Sequence, residues 1–197
     1  MKIFLSGIAC VGKTTVGEKL ASLLGFEFID LDGKIATYFG TSLSRLQHSF
    51  LTAYSYRKEA AKVLHHVLVR EKLTNCVIAL PPSGLMDNFW RLIKREEGII
   101  VVLHDSPENI LKRIVIYDMD SKPIDKQLSS KEKGLCLEEI KEDISYFRRT
   151  YRRADLTVTI AGLGPEEAAR RVKNMLAELP SAKPRPGSER GIMGYSN

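Results

Sequence analysis

The segment Gly7-Ile8-Ala9-Cys10-Val11-Gly12-Lys13-Thr14 follows directly on the apolar run Ile3-Phe4-Leu5. Its spacing, G-x-x-x-x-G-K-T, is that of a loop that wraps a polyphosphate. Glycine lets the backbone curl without Cβ clashes, so that several N–H groups converge on anionic oxygens. The helix that follows adds the positive end of its dipole. Backbone groups from Gly7 through Ala9, Cys10, Val11 and Gly12 are therefore expected around the phosphates of ATP, with Lys13, Thr14 and Thr15 opening the helix. The Lys13 ammonium would reach the β- and γ-phosphates and the Thr14 hydroxyl would sit on Mg²⁺. Cys10 is read as a loop residue contributing backbone rather than a reactive thiol.

Asp30 and Asp32 close a second short apolar run, Phe26 to Ile29. Residues two apart on an extended chain share a face, so both carboxylates would border the same crevice as Lys13. One can hold Mg²⁺ through water, while the other accepts a hydrogen bond from a substrate hydroxyl and helps withdraw its proton. The competing use of either is to cap the next helix. The four histidines have no metal-ligand spacing, and Asp105 ahead of Pro107 reads as a helix cap.

The elements that must position these groups alternate strand and helix from end to end, the pattern of a parallel sheet covered by helices. The strands are expected at Ile3–Ser6, Phe26–Ile29, Cys76–Leu80, Ile99–Leu103 and Leu156–Ile160. The helices are expected at Thr14–Leu24 (closed by Gly25), Thr52–Lys72, Asp87–Glu97, Pro107–Tyr117 and Leu137–Arg152, with a last one from Pro165 to Leu179. Pro81-Pro82 must end the third strand, because proline has no N–H for a central ladder. The implied fold is α/β: a three-layer sandwich around a five-stranded parallel sheet, with the topology of nucleoside monophosphate kinases. Ligands of such sheets lie beyond the strand C-termini, where the phosphate loop, Asp30–Asp32, Pro81–Gly84 and His104–Asp105 all emerge.

Length and composition agree with that reading. The 197 residues are 44% hydrophobic and 27% charged, and a single domain is expected over 1–180 with a loose tail over 181–197. No apolar run spans a bilayer, and Cys10, Cys76 and Cys136 fit neither a disulfide framework nor zinc, so a cytoplasmic protein is expected. The net charge of +6 suits an anionic substrate. The cluster Arg148, Arg149, Arg152, Arg153 lacks interleaved aromatics and reads largely as a solvated helix face, so neither nucleic-acid nor membrane partners are expected. A monomer is expected.

Residues 3 to about 40 resemble the opening of the shikimate kinases: phosphate loop, helix, a short strand ending in Asp-x-Asp, and a helix ending near Phe39-Gly40. The resemblance implies that Asp30 assists Mg²⁺ and that Asp32 binds the acceptor hydroxyl. It also implies that Arg57, near the start of the long helix, holds the acceptor carboxylate; a planar guanidinium can bond both oxygens. Arg113 would cover the adenine, and residues 118–134 would form a lid over the phosphates, the alternative being a solvated surface loop.

Three departures fall on the acceptor side. Pro81-Pro82-Ser83-Gly84 stands where the family has a glycine run, which removes backbone donors and places Pro82 and Ser83 on the pocket floor. Lys122 takes the place of a lid arginine as the cation on the transferred phosphoryl group. Arg148 or Arg149 stands one position out of register with the family's late substrate-binding arginine. The implied activity is ATP-dependent phosphoryl transfer to a hydroxyl of a small anionic metabolite, with shikimate the leading candidate. The alternatives are a kinase of another hydroxylated metabolite and a nucleotide-binding regulator without transfer chemistry.

Overall fold

In the computed structural model, which describes residues 1–70 and 73–179, the strand and helix alternation is realised as one parallel sheet. The first half of the chain gives β1 (Lys2–Ser6), α1 (Lys13–Leu24), β2 (Glu27–Asp30), α2 (Leu31–Phe39), α3 (Leu43–His48) and α4 (Ala53–Arg70). β3 (Cys76–Ala79), α5 (Asp87–Ile93), β4 (Ile99–His104) and α6 (Pro107–Leu111) follow. A two-stranded hairpin, β5 (Ile116–Tyr117) and β6 (Pro123–Ile124), leads to α7 (Ser130–Tyr151), β7 (Leu156–Thr159) and α8 (Pro165–Ala177).

The large sheet has the order β2-β3-β1-β4-β7. Every pairing in it is parallel, with Ile3 opposite both Val77 and Ile99. Ile3–Leu5 of β1, Cys76–Ala79 of β3 and Ile99–Leu103 of β4 are unbroken apolar runs because helices cover both of their faces. On one face Phe4, Ile78 and Ile100 pack with Leu64 of α4 and Phe89 of α5. On the other, Leu5, Val77 and Val101 pack with Leu20 of α1 and Val172 of α8. Each such fully buried side chain contributes roughly 1.5–3 kcal/mol of transfer free energy.

Several boundaries differ from the sequence expectation. β3 ends at Ala79, just ahead of Pro81-Pro82, as proline chemistry demands of a strand held between two neighbours. The helix from Pro107 stops at Leu111 instead of reaching Tyr117, because the β-branched run Ile114-Val115-Ile116 turns extended and Ile116 pairs with Ile124. α5 likewise ends at Ile93, short of Glu97. α7 begins seven residues before Leu137, at Ser130, where Ser129 and Glu132 form a reciprocal capping box. The short α3, capped by the Ser42 hydroxyl on the Arg45 N–H at 3.2 Å, was not expected. The domain end near Pro180, the tail over 181–197 and the last residues of the helix expected to reach Lys72 lie outside the described residues. Among the described residues no helix is long and apolar enough to cross a membrane.

Candidate active site

The loop after β1 reverses direction through positive φ angles at Gly7 (145°), Cys10 (57°) and Gly12 (105°). Gly7 admits no side chain: a Cβ there would lie 2.8 Å from the Leu103 carbonyl oxygen and 2.9 Å from a Val11 methyl. The loop residues face two ways. Val11 is buried in the core, while Ala9, Cys10 and Gly12 border a cavity of about 520 Å³ together with Lys13, Thr14 and Thr15. Arg113, Val115 and Tyr117 line the same cavity from the α6–β5 segment, and Asp32 and Pro82 close it toward the acceptor side.

Within this cavity the Lys13 ammonium donates to the carbonyls of Gly7 (2.9 Å) and Ile8 (2.8 Å). Burial pulls its pKa down to about 8, against the opposing pull of Asp32, Cys10 and Asp30. Asp30 divides its two oxygens. Oδ1 caps α2 by accepting from the N–H groups of Asp32 (3.0 Å) and Gly33 (3.3 Å), and Oδ2 accepts the Thr14 hydroxyl at 2.8 Å. The residues expected around a metal ion are thus brought together, and capping, the competing role, is met by the same carboxylate.

Asp32 is not on an extended chain as expected. It lies in the first turn of α2, because Asp30 caps the helix and starts it at Leu31. The helical turn still faces Asp32 to the cavity, where burial raises its pKa from 3.8 to about 6 against the lowering effect of Lys13.

Arg113 is fixed from behind. Its Nη2 donates to Asp105 at 2.5 Å and its Nε to the Cys10 carbonyl at 3.3 Å, which ties α6 to the phosphate loop. Asp105 is 1% exposed and also accepts from the Ser106 N–H (2.7 Å) and the Asn109 amide (2.9 Å). Burial pushes the Asp105 carboxyl up, but these hydrogen bonds outweigh it and hold the pKa below its usual value. The cap of α6 is Ser106, not Asp105 as the sequence suggested; Asp105 instead orients Arg113. Tyr117 and Val115 were also missed, since both were assigned to a helix that is not there.

A second cavity, of about 480 Å³, adjoins the first and shares Asp32 and Pro82 with it. Arg57 and Tyr56 of α4, Phe50, Ser83, Tyr146 and Phe147 contribute most of its character. The Arg57 side chain is 13% exposed and donates through Nε to Asp87 at 2.8 Å. Asp87 reaches it from a left-handed backbone conformation, φ 45°, that a residue with a Cβ adopts at a cost. Of the residues expected on the acceptor, Asp32, Arg57, Pro82 and Ser83 meet in this cavity.

Two expected residues do not join them. Arg148 lines a separate crevice, because one helical position turns a side chain by about 100° and Phe147 faces the second cavity in its stead. Lys122 sits in the β5–β6 turn, exposed and lining neither cavity. That turn is tied to α3 by Arg45 on Asp120 (2.6 Å) and by the Ser42 hydroxyl on the Met119 carbonyl (2.5 Å). Residues 118–134 are thus not one loop but a hairpin followed by the first turn of α7. Among the described residues, no group of three or more His, Cys, Asp and Glu could hold a metal on protein ligands alone.

A family model for shikimate kinase matches residues 9–177. The shikimate kinase of Caldanaerobacter subterraneus subsp. tengcongensis is 32% identical over 171 residues, covering 86% of this chain and 92% of that protein. The chain belongs to the shikimate kinase family. Among solved structures, the shikimate kinase of Aquifex aeolicus superposes with a TM-score of 0.67 at 27% identity, covering 90% of this chain and 96% of that one. The Acinetobacter baumannii shikimate kinase, solved in complex with shikimate, has the same fold (TM-score 0.71, 24% identity, 90% and 93% covered). As a shikimate kinase family member the chain is an ATP-dependent phosphotransferase with an alcohol acceptor, and the expected family and fold are both borne out.

Proposed function

We propose that the chain transfers the γ-phosphoryl group of ATP to a hydroxyl of shikimate, giving shikimate 3-phosphate, with the two adjoining cavities as donor and acceptor sites. The observation that carries this reading is the position of Asp32, which borders both cavities beside Lys13. A carboxylate there can accept the hydrogen bond of an acceptor hydroxyl while the ammonium faces the donor phosphates. Its pKa of about 6 suits a group that must be charged at neutral pH yet basic enough to take a proton.

Lys13, held on loop carbonyls in this structure, exchanges those acceptors for phosphate oxygens when ATP enters. The Thr14 hydroxyl and the Asp30 carboxylate, 2.8 Å apart, are hard oxygen donors on the phosphate side and fit Mg²⁺, which binds one or two protein oxygens and keeps several waters. When bound there, Mg²⁺ would supply charge neutralisation on the phosphates. Arg57, steadied at Nε by Asp87, has its terminal nitrogens for the acceptor carboxylate. Val115 and Tyr117, both exposed, border the donor cavity and offer apolar surface to a bound nucleotide.

One observation favours a second reading, a different hydroxylated acceptor. Arg57 is the only cation lining the acceptor cavity among the described residues, and it is already paired with Asp87. A coupled ADP-release assay with shikimate beside other hydroxy acids and neutral polyols decides between them. Saturable ADP release with shikimate at the highest kcat/KM supports the proposal. Preference for a less anionic acceptor supports the second reading, and Mg·ATP binding without ADP release on any acceptor would mark a regulator.

A further inference from the structure

On the far side of the phosphate loop lies a third cavity, of about 350 Å³, that shares no lining residue with either of the other two. Its walls are apolar: Ile8 and Val11 of the loop, Ile110 of α6 and Ile144 of α7, over the end of β4. Its open side is marked by exposed residues, chiefly His104, Thr157, Arg148 and Arg152. The four arginines at the end of α7 are all exposed, as expected of a solvated face, but they are not equivalent. Arg153 stacks over Trp90, 4.7 Å from the ring centre, and donates to the Leu85 carbonyl. Arg148 and Arg152, one helical turn apart, have no ion-pair partner among the described residues and stand together at the crevice. Two like charges at that spacing repel, and an anion between them removes the repulsion. Asp105 also lines the crevice, but its carboxylate is already committed to Arg113, Asn109 and the Ser106 N–H.

We infer that this crevice binds a small anion with an apolar ring, its carboxylate on Arg148 and Arg152 and its ring against Ile8, Val11, Ile110 and Ile144. The volume lies within the range of about 300–1,000 Å³ over which small-molecule sites occur. Apolar cavities gain dispersion contacts when such a ring fills them. The phosphate loop is the partition between this site and the donor cavity, because Ile8 and Val11 face one while Ala9, Cys10 and Gly12 face the other. Occupancy therefore alters the affinity for Mg·ATP, and Mg·ATP alters affinity for the anion by the same factor.

The test is a titration of the full chain with benzoate, read by isoleucine methyl NMR, with benzyl alcohol as the neutral counterpart. Benzoate is expected to shift the Ile8, Ile110 and Ile144 methyls saturably below about 10 mM, the range open to so small a ligand. Loss of the two charged contacts in R148A/R152A weakens binding by about tenfold or more, and I144W, which fills the crevice, abolishes it. Benzoate can also meet Arg57, so the titration is repeated with Arg57→Ala, in which the shifts at Ile110 and Ile144 persist. The site is refuted if those methyls do not shift, shift equally with benzyl alcohol, or shift unchanged in R148A/R152A. An Mg·ATP dissociation constant identical with and without saturating benzoate overturns the coupling.

Discussion

Lys13 and Asp32, both half-buried, line the same cavity with their pKa values displaced toward each other, to about 8 and about 6. Transfer requires the ammonium protonated and the carboxylate ionised, so kcat/KM should rise with pH through about 6 and fall again through about 8. A rate profile flat across that window counts against both assignments. Removing the ammonium in Lys13→Ala should lower kcat by about 10²–10³-fold, the usual effect of losing one preorganised charge contact. Asp32→Asn should lose a similar or larger factor, about 10²–10⁴. The same carboxylate has a stability signature. Its pKa is raised on folding from 3.8 to about 6, so ionising it opposes folding, fully above the folded value and not at all below the unfolded one. Asp32→Asn should therefore melt higher than the parent at pH 8, with the difference vanishing toward pH 3; an unchanged melting temperature at pH 8 would contradict the burial argument. At this scale spacing alone placed the phosphate loop and the pair Asp30 and Asp32 at one crevice, while the division of roles within the pair came from the family resemblance. Asp105 and Asp87 were not readable, since each acts by holding an arginine outside its own helical turn, Arg113 eight residues on and Arg57 thirty residues back, and no spacing motif marks such a pair.

On the acceptor side, α4 and α5 pack through one apolar core, and single polar contacts set the groups at its edge. The start of α5 carries Asp87 in a left-handed conformation and presents it to α4. Asp87→Asn keeps the shape but removes the charge that steadies Arg57. It should raise KM for the acceptor several-fold while leaving KM for ATP unchanged, and equal changes in both would show a general loosening of the fold instead. α7 is pinned by the Tyr151 hydroxyl on the Pro82 carbonyl at 3.1 Å, and burial holds that hydroxyl's pKa far above its ordinary value. Tyr151→Phe leaves a half-buried carbonyl short of a donor and should cost about 1 kcal/mol in urea unfolding. Element types were legible in the sequence because apolar runs and helical periodicity are local. The hairpin and the early start of α7 were not, since lysine-rich composition over 118–134 hides two short pairings and a capping box that depend on individual residues. The one-residue rotation that turns Arg148 away and Phe147 inward has the same origin: register on a helix is decided by which side chain the core accepts.

For the whole molecule, the donor site joins β1, α1, α2 and the α6–β5 segment, so ligand binding couples elements far apart in the chain. Mg·ATP at 100 times its dissociation constant should stabilise the fold by about 2.7 kcal/mol and raise the melting temperature by roughly 5–10 °C. A melting temperature insensitive to Mg·ATP would remove the basis for the donor cavity. The strand order has a further consequence, for how the protein is made. Lys2 and Ile3 pair with Cys76 and Ile99, so β1, which leaves the ribosome before the other four strands of this sheet, is the middle one of it. The nascent chain therefore displays its nucleotide-gripping segment long before either flanking strand exists to brace it. Closing such distant pairings is entropically slow, so nucleotide can assist only the last stage of maturation.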